Sequence, residues 1–169
     1  MIDTHIILSK EIAYRKIQRM AYEIVERNSN ERQMILAGIK ENGLIIAEIL
    51  YGFLKEIFKG ELSLIAIALD KRNPKNISIS GEINFDDKVI VIIDDVANTG
   101  RTLLYALNPF LRFYPKKIQT LVLVERSHKE FPVTPDYVGL SIATALSEKI
   151  IVETEDREIA GARLDQREK

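Results

Sequence analysis

Two adjacent carboxylates, Asp94 and Asp95, follow a β-branched apolar run and precede the segment 98–102, whose sequence is NTGRT. Adjacent carboxylates can accept hydrogen bonds from the two vicinal hydroxyls of a ribose. Backbone N–H groups at the start of a helix, together with the two threonine hydroxyls, can surround a monophosphate. The glycine of the segment lets the backbone approach such a ligand closely. These residue types in this order predict a sugar-phosphate site.

The same residues also have a purely structural interpretation, in which Asp94 and Asp95 end a strand and cap the following helix. This interpretation accounts for an acidic residue at the junction. It leaves unexplained why two acids end a fully apolar strand and are followed by Thr-Gly-Arg-Thr. The functional interpretation is therefore favoured.

Apolar runs and amphipathic patterns alternate along the chain and must position these residues. Amphipathic helices are predicted from the N-cap Ser9 to Asn28, over 44–58, and from 99–100 to about 113. Buried strands are predicted over 34–39, 62–69, 88–93 and 118–124. Continuous apolar strands that alternate with helices are typical of an α/β, doubly wound parallel sheet. Ligands of such sheets bind beyond the carboxyl ends of the strands, where Asp94 and Asp95 are expected.

The remaining segments complete one predicted domain over residues 1–169. The polar stretch 70–87 contains Pro74 and Gly81 and predicts a long loop with at most a small hairpin. Beyond Glu125, the run 149–154 predicts the last strand, and the charged tail 163–169 is expected to be frayed. Neither a linker nor an internal repeat interrupts the sequence.

Composition excludes several classes of protein. The chain has 169 residues, 24 Lys+Arg against 25 Asp+Glu, and no cysteine, so it has no disulfide scaffold and no thiolate zinc site. The net charge of -1 provides no general attraction to nucleic acid. No apolar stretch approaches the roughly 20 residues that span a bilayer, and the first residues lack the order of a signal peptide. We therefore expect a cytoplasmic protein that does not associate with membranes.

The segment IIDDVANTGRT resembles the ribose-phosphate-binding motif of the type I phosphoribosyltransferases, which use phosphoribosyl diphosphate (PRPP). Three further segments, GIK at 38–40, LVLVERSHKE at 121–130 and PDYVG at 135–139, are similar to the pyrimidine operon attenuator (PyrR) family. Members of that family bind RNA, and many of them are uracil phosphoribosyltransferases. The resemblance covers most of the chain and implies a type I fold with a small C-terminal hood. It also makes the loop 70–87 the candidate lid.

The resemblance implies a role for each segment. Asp94 and Asp95 would hold the ribose hydroxyls and, directly or indirectly, Mg²⁺, and would act in catalysis with Lys40. Contacts with PRPP are implied for Asp94, Asp95, Ala97, Asn98, Thr99, Gly100, Arg101 and Thr102. The implied diphosphate loop consists of Lys40, Glu41, Asn42 and Gly43, and the implied base-binding segment consists of Val138, Gly139, Leu140, Ser141 and Ile142. From the residues alone, a hydrophobic loop at the sheet edge explains the last segment equally well.

Two departures from the family bear on the reaction. Purine-specific members carry an acid where this chain has Asn98, so a pyrimidine is favoured. The diphosphate loop has Glu41-Asn42-Gly43 in place of the family's Thr-Arg-Gly. A carboxylate beside a diphosphate repels it, which predicts a lower affinity or rate. Restoring Thr and Arg at positions 41 and 42 is therefore expected to raise turnover or PRPP affinity.

Two hypotheses follow. The first is a magnesium-dependent phosphoribosyltransferase of nucleotide salvage that transfers phosphoribose from PRPP to a nucleobase, with uracil as the favoured base. The alternative is a catalytically weak regulator that binds a nucleotide or PRPP as effector and RNA or a protein as target.

RNA and a second copy of the chain are the macromolecular partners to consider. Arg15, Arg19 and Arg27 lie near one face of the first helix, and the first two resemble basic positions of the attenuators. Glu23 and Glu26 share that helix, so a solvated and internally paired face is favoured over an RNA-binding face. Because the family usually assembles, a homodimer is expected.

Overall fold

The computed structural model describes residues 5–166. The helices are α1 (Lys10–Arg27), α2 (Asn42–Ile57) and α3 (Arg101–Ala106), and a 3-10 turn (Asn108–Phe110) follows α3. The strands are β1 (His5–Ser9), β2 (Gln33–Ile39), β3 (Glu61–Leu69), β4 (Ile77–Ile79), β5 (Val89–Ala97), β6 (Lys117–Arg126), β7 (Tyr137–Ile142), β8 (Glu148–Glu155) and β9 (Glu158–Gln166).

Six strands form the central sheet in the order β4-β3-β2-β5-β6-β7. All neighbours in it are parallel except β4, which pairs antiparallel with β3. The helices α1 and α2 cover one face, where Ile17 and Leu50 are buried, and α3 covers the opposite face with Phe110. Ser9 accepts the N–H of Ile12 at 3.3 Å and caps α1. The predicted α/β, doubly wound sheet is confirmed.

Two elements end at different residues from those predicted. The strand β5 does not stop before Asp94, because its pairing with β6 continues through Asp94 and on to Ala97. Both carboxylates therefore belong to the strand. Helix α3 ends at Ala106 rather than near 113, because Pro109 cannot continue a helical hydrogen-bond ladder and the chain tightens into the 3-10 turn.

The C-terminal region contains more strand than predicted. Residues 137–142 form the edge strand β7, where Gly139 packs so tightly that an added Cβ would lie 2.3 Å from the Leu123 carbonyl. The run 149–154 is not the last strand, because β9 follows it through a tight turn and buries Ile159 and Ala162. Residues 163–166 of the predicted frayed tail belong to β9, and 167–169 lie outside the described residues.

A second sheet, which we call the hood, has the strand order β1-β9-β8. The predicted C-terminal hood therefore also includes the N-terminal strand β1, which pairs antiparallel with β9. Strand β8 is the edge strand of the hood. The predicted small hairpin in the loop 70–87 corresponds to the three residues of β4. Within residues 5–166, every helix is too short or too polar to cross a bilayer.

Candidate active site

A cavity of about 590 Å³ lies at the carboxyl end of β5. One wall consists of residues 95–103, and the opposite wall is the segment 149–152 of the hood strand β8. Asn42, Lys71, Glu130 and Phe131 complete the lining. The volume is within the usual range for small-molecule sites, and the position is the edge at which parallel sheets bind ligands.

Asp94 and Asp95 are both buried, and Asp95 lines this cavity. The Lys71 ammonium lies 2.8 Å from Asp94 Oδ1 and 3.2 Å from Asp95 Oδ1. Asp95 Oδ2 accepts a hydrogen bond from Asn42 Nδ2 at 3.0 Å. Asp94 Oδ2 is buried and has no hydrogen-bond partner among residues 5–166. The carboxylate pair therefore retains one acceptor for a hydroxyl or a cation.

The three charged groups shift one another's pKa values in opposite directions. Burial, and then the adjacent charge of Asp95, raises the pKa of Asp94 to about 7. Burial also opposes ionisation of Asp95, but Lys71 and the hydrogen bonds from its neighbours lower the pKa of Asp95 below its ordinary value. Burial lowers the pKa of Lys71, and the two carboxylates more than offset this, so that it stays protonated. When Asp94 is ionised, the pair carries one more negative charge than the Lys71 ammonium balances, so a further positive group would favour the ionised form of Asp94.

The loop 98–102 connects β5 to α3 and borders the same cavity. Gly100 has a φ of 88°, in the left-handed region that favours glycine. The Thr99 carbonyl accepts the N–H groups of Glu130 and Phe131, both at 3.0 Å. These two bonds attach the loop to residues 130–131, which line the same cavity, and within the loop the Arg101 N–H donates to Thr99 Oγ1 at 3.3 Å.

The predicted PRPP-contacting residues are thus brought together. The cavity is lined by Asp95, Ala97, Asn98, Thr99, Gly100, Arg101 and Thr102. Asp94 lies directly behind them, with its carboxylate bonded to the same lysine as that of Asp95.

The predicted diphosphate loop is only partly in the cavity. Lys40 and Glu41 are exposed beyond the end of β2, and the peptide bond between them is cis. Asn42 lines the cavity. Gly43 is buried against β5, where an added Cβ would lie 2.6 Å from the Ile93 carbonyl.

The predicted base-binding segment lies elsewhere. Residues 138–142 form most of β7, and none of the five lines the cavity. The carbonyls of Val138 and Gly139 accept hydrogen bonds from Arg19 of α1, at 2.8 and 3.2 Å. The structural interpretation of this segment, packing at the sheet edge, therefore describes its position, although as a strand rather than a loop.

Sequence reasoning missed several residues that line the cavity, namely Lys71, Glu130, Phe131, Lys149, Ile150, Ile151 and Val152. The sequence predicted only that Lys71 lies in the candidate lid 70–87 and that the run 149–154 forms a strand. No local pattern indicates that these segments meet, because the contact depends on how the hood folds over β5.

The arginines of α1 are engaged within the protein. Arg15 pairs with Glu11 at 2.6 Å, one helical turn away. Arg19 pairs with Glu23 in addition to its contacts with β7. Arg27 donates to the Asp136 carbonyl at 3.2 Å and lies over the Tyr137 ring at 4.9 Å. This is the internally paired face that the sequence favoured.

The sequence of this chain matches the sequences of known proteins. Residues 3–158 match the family model described as "Phosphoribosyl transferase domain". The chain belongs to the phosphoribosyltransferase family. The "Bifunctional protein PyrR" of Haemophilus ducreyi is 36% identical to this phosphoribosyltransferase over 160 residues, which is 89% of each chain. The protein of the same name from Streptococcus pneumoniae is 38% identical over 146 residues, 82% of this chain and 83% of that one. The resemblance to the type I and PyrR proteins is confirmed.

Solved structures of the family share the fold of this phosphoribosyltransferase. The hypoxanthine phosphoribosyltransferase of Trypanosoma cruzi superimposes with a TM-score of 0.80 over 97% of both chains, at 18% identity. The hypoxanthine-guanine enzyme of Bacillus anthracis gives a TM-score of 0.71 over 95% of this chain and 98% of that one, also at 18% identity. At such identities the likeness concerns the fold alone.

Proposed function

We propose that this phosphoribosyltransferase catalyses the Mg²⁺-dependent transfer of phosphoribose from PRPP to uracil, as a step of nucleotide salvage in the cytoplasm. The observation that carries the proposal is that Asp95 and the loop 98–102 line one cavity, with Asp94 directly behind. The similarity to PyrR proteins supports the pyrimidine branch of the family. Asn98 supports it as well, because an amide cannot replace the acid that purine-specific members carry at this position.

In this proposal the two ends of the sugar phosphate bind to different parts of one wall. Asp94 and Asp95 accept hydrogen bonds from the ribose hydroxyls, and the loop 98–102 surrounds the 5-phosphate with N–H groups and hydroxyls. Lys40, exposed at the rim, neutralises charge on the departing diphosphate.

The base is proposed to bind along the free edge of β8 rather than on β7. The Val152 carbonyl points away from the hood sheet, since it accepts a hydrogen bond from Asn42. In a strand, backbone groups two residues apart point to the same edge, so the N–H and carbonyl of Ile150 share that direction. A pyrimidine edge, with its alternating donors and acceptors, can pair with such groups.

The bond between ribose C1 and a diphosphate oxygen breaks, and the diphosphate leaves with the electron pair. A ring nitrogen of the base forms the new bond to C1, and the proton of that nitrogen passes to the diphosphate or to solvent. The sugar becomes oxocarbenium-like in between, and the negative charge of the Asp94–Asp95 pair stabilises it. The hood and the loop 98–102 hold the base and the sugar in line and exclude water, which accounts for much of the rate in reactions of this kind.

The residues present fit Mg²⁺. Asp94 Oδ2 is a buried oxygen without a partner among residues 5–166, and hard oxygen ligands suit this ion. Mg²⁺ is usually held by one or two carboxylates plus substrate oxygens, and Asp94 and Asp95 would supply the carboxylates. When bound, Mg²⁺ would neutralise charge on the diphosphate.

A nucleotide-responsive regulator is the second candidate. Two observations favour it: Lys71 pairs with both carboxylates, where ribose is proposed to bind, and Glu41 places a negative charge beside the proposed diphosphate position. Its target would be a protein rather than RNA, because the arginines of α1 are already engaged.

In both candidates we propose a homodimer, and sedimentation as a monomer at micromolar concentration would contradict this.

The deciding experiment is a diphosphate-release assay with Mg²⁺ and PRPP against uracil, hypoxanthine, guanine, adenine, xanthine and orotate, with thermal shift measured in parallel. Turnover with uracil alone is expected. Turnover with a purine instead would overturn the assignment of the base. Stabilisation by PRPP or UMP without turnover on any base would favour the regulator.

A further inference from the structure

One side chain joins three parts of the molecule that are far apart in the sequence. Asn42, the first residue of α2, donates through Nδ2 to Asp95 Oδ2 at 3.0 Å and to the Val152 carbonyl at 3.1 Å. Its Oδ1 accepts a hydrogen bond from the Thr154 hydroxyl at 3.3 Å. The amide group thus bonds to Asp95, one of the two buried carboxylates, and makes two hydrogen bonds to β8, the edge strand of the hood.

We propose that Asn42 is a positioning residue that sets the hood strand β8 relative to Asp95, and thereby the base relative to the ribose. This inference rests on the proposed function for the identity of the two ligand parts. The hydrogen bonds that carry it are independent of any turnover.

Only an amide meets the requirements of this position. The contacts need a donor toward Asp95 and the Val152 carbonyl and an acceptor toward Thr154, within one short side chain. An arginine has donors only, so it cannot accept the Thr154 hydrogen bond. The sequence predicted that Glu41→Thr together with Asn42→Arg would raise turnover or PRPP affinity. The Asn42→Arg part of that change is instead expected to release β8 and weaken nucleotide binding.

The arrangement also explains how Asp95 is oriented. Its Oδ1 accepts from Lys71 and from the N–H of Val96, while Oδ2 faces Asn42. Loss of the amide would free Oδ2 and allow the carboxylate to turn away from a ribose hydroxyl. The hood strand β8 and the Asp95 side chain would then move independently, while the hood and the central sheet would keep their folds.

The test compares Asn42→Asp, Thr154→Val and Asn108→Asp with the unmodified protein. Asn42→Asp keeps the shape and the acceptor, removes both donated bonds and adds a negative charge beside Asp95 Oδ2. Thr154→Val removes only the bond to Asn42 Oδ1 and touches neither carboxylate. Asn108→Asp makes the same chemical change at an exposed position outside the cavity.

Two readouts separate positioning from a direct ligand contact. Hydrogen exchange measured by mass spectrometry over 148–155, without ligand, is expected to accelerate at least tenfold in Asn42→Asp and several-fold in Thr154→Val. The Kd for UMP, measured by calorimetry, is expected to rise at least tenfold and several-fold in the same order. Asn108→Asp should leave both unchanged.

The inference is overturned if exchange over 148–155 is the same in all variants, or if Asn42→Asp weakens UMP binding while Thr154→Val does not. A protein that turns over no base and binds no UMP would defeat the proposed function alone. In that case the exchange of ligand-free β8 in the variants would still decide whether Asn42 positions the hood.

Discussion

The carboxyl end of β5 holds two carboxylates and one ammonium, and the Lys71 nitrogen lies within 3.2 Å of both acids. The Asp94 side chain is 1% exposed and that of Lys71 is 42% exposed. The acids therefore belong to the buried sheet, whereas the lysine comes from the loop 70–87 and is partly exposed. Because the acids are buried and the lysine is partly exposed, we expect different effects from replacing an acid and from replacing the lysine.

Replacing Asp94 or Asp95 singly with Asn is expected to abolish the stabilisation by Mg²⁺ and PRPP while leaving the fold intact. A ligand at 100 times its Kd stabilises a protein by about 2.7 kcal/mol, and this gain should disappear because an amide neither carries the charge nor accepts as strongly. Thermal unfolding with and without PRPP measures it. Asp156→Asn, in the exposed turn before β9, is the control, and unchanged stabilisation in the Asp94 and Asp95 variants would remove these residues from the site.

Replacing Lys71 with Met is expected to destabilise the protein without Mg²⁺ and to enlarge the stabilisation by added MgCl₂. Removing one partner leaves a buried carboxylate pair uncompensated, at a cost of about 2 kcal/mol once the partial exposure of Lys71 is taken into account. Thermal unfolding across a MgCl₂ titration checks both effects.

The exposed neighbour Arg72 provides the matched change, Arg72→Met. Equal melting temperatures for Lys71→Met and the unmodified protein at zero Mg²⁺ would show that the ion pair contributes nothing to stability.

Helix α2 begins in close contact with β5 because Gly43 has no side chain. A Cβ on Gly43 would lie 2.6 Å from the Ile93 carbonyl and 3.0 Å from Asp94 Cα, both of them backbone atoms that cannot yield. The helix thus approaches the strand at the residue before the carboxylate pair. This close approach is what brings Asn42 within reach of Asp95.

Gly43→Ala is expected to destabilise the protein by about 1–3 kcal/mol, because the added methyl group must displace α2 from β5. Gly52→Ala lies in the same helix with open space around it and is expected to stabilise by about 0.5–1 kcal/mol through helix propensity. Urea unfolding of both variants measures the difference. Similar midpoints for the two would contradict the close packing at Gly43.

At the scale of the whole molecule, charge is balanced both in total and locally. The net charge is -1, and the basic residues of α1 that resemble attenuator positions pair with Glu11, with Glu23 and with backbone carbonyls. The neighbouring carboxylates lower the positive potential that a docking face for RNA needs. Balance at both levels therefore opposes RNA binding.

We expect no retention of RNA in filter binding at low salt and a flat response as salt increases. A basic face that neutralises several phosphates would instead lose affinity steeply, because each contact releases counterions. A steep salt dependence, reduced by Arg15→Ala, would contradict the prediction and restore RNA as the regulatory target. Glu26→Ala, on the same helix, serves as the comparison for a change in surface charge alone.

Much of the fold and one wall of the site could be predicted from the sequence. The helix α1 with its Ser9 cap, the strands of the parallel sheet and the loop 98–102 depend on periodicity and on residues that are consecutive in the chain. Because this loop directly follows β5 in the chain, Asp95 and residues 99–102 lie at the same edge of the central sheet. Local pattern failed where packing overrides it, as in β9, whose charged residues conceal the burial of Ile159 and Ala162.

The residues that face that wall come from segments that are distant in the sequence. Asn42 bonds to the Val152 carbonyl across 110 positions of sequence, and Lys71 bonds to Asp94 across 23. The predicted base-binding segment 138–142 lies in the edge strand β7, against α1, and part of β8 lines the cavity instead. The sequence determined the chemistry of residues that are neighbours along the chain, because backbone geometry alone places them. The opposite wall depends on how two separate sheets pack, and this is set by the burial of apolar surface over the whole molecule.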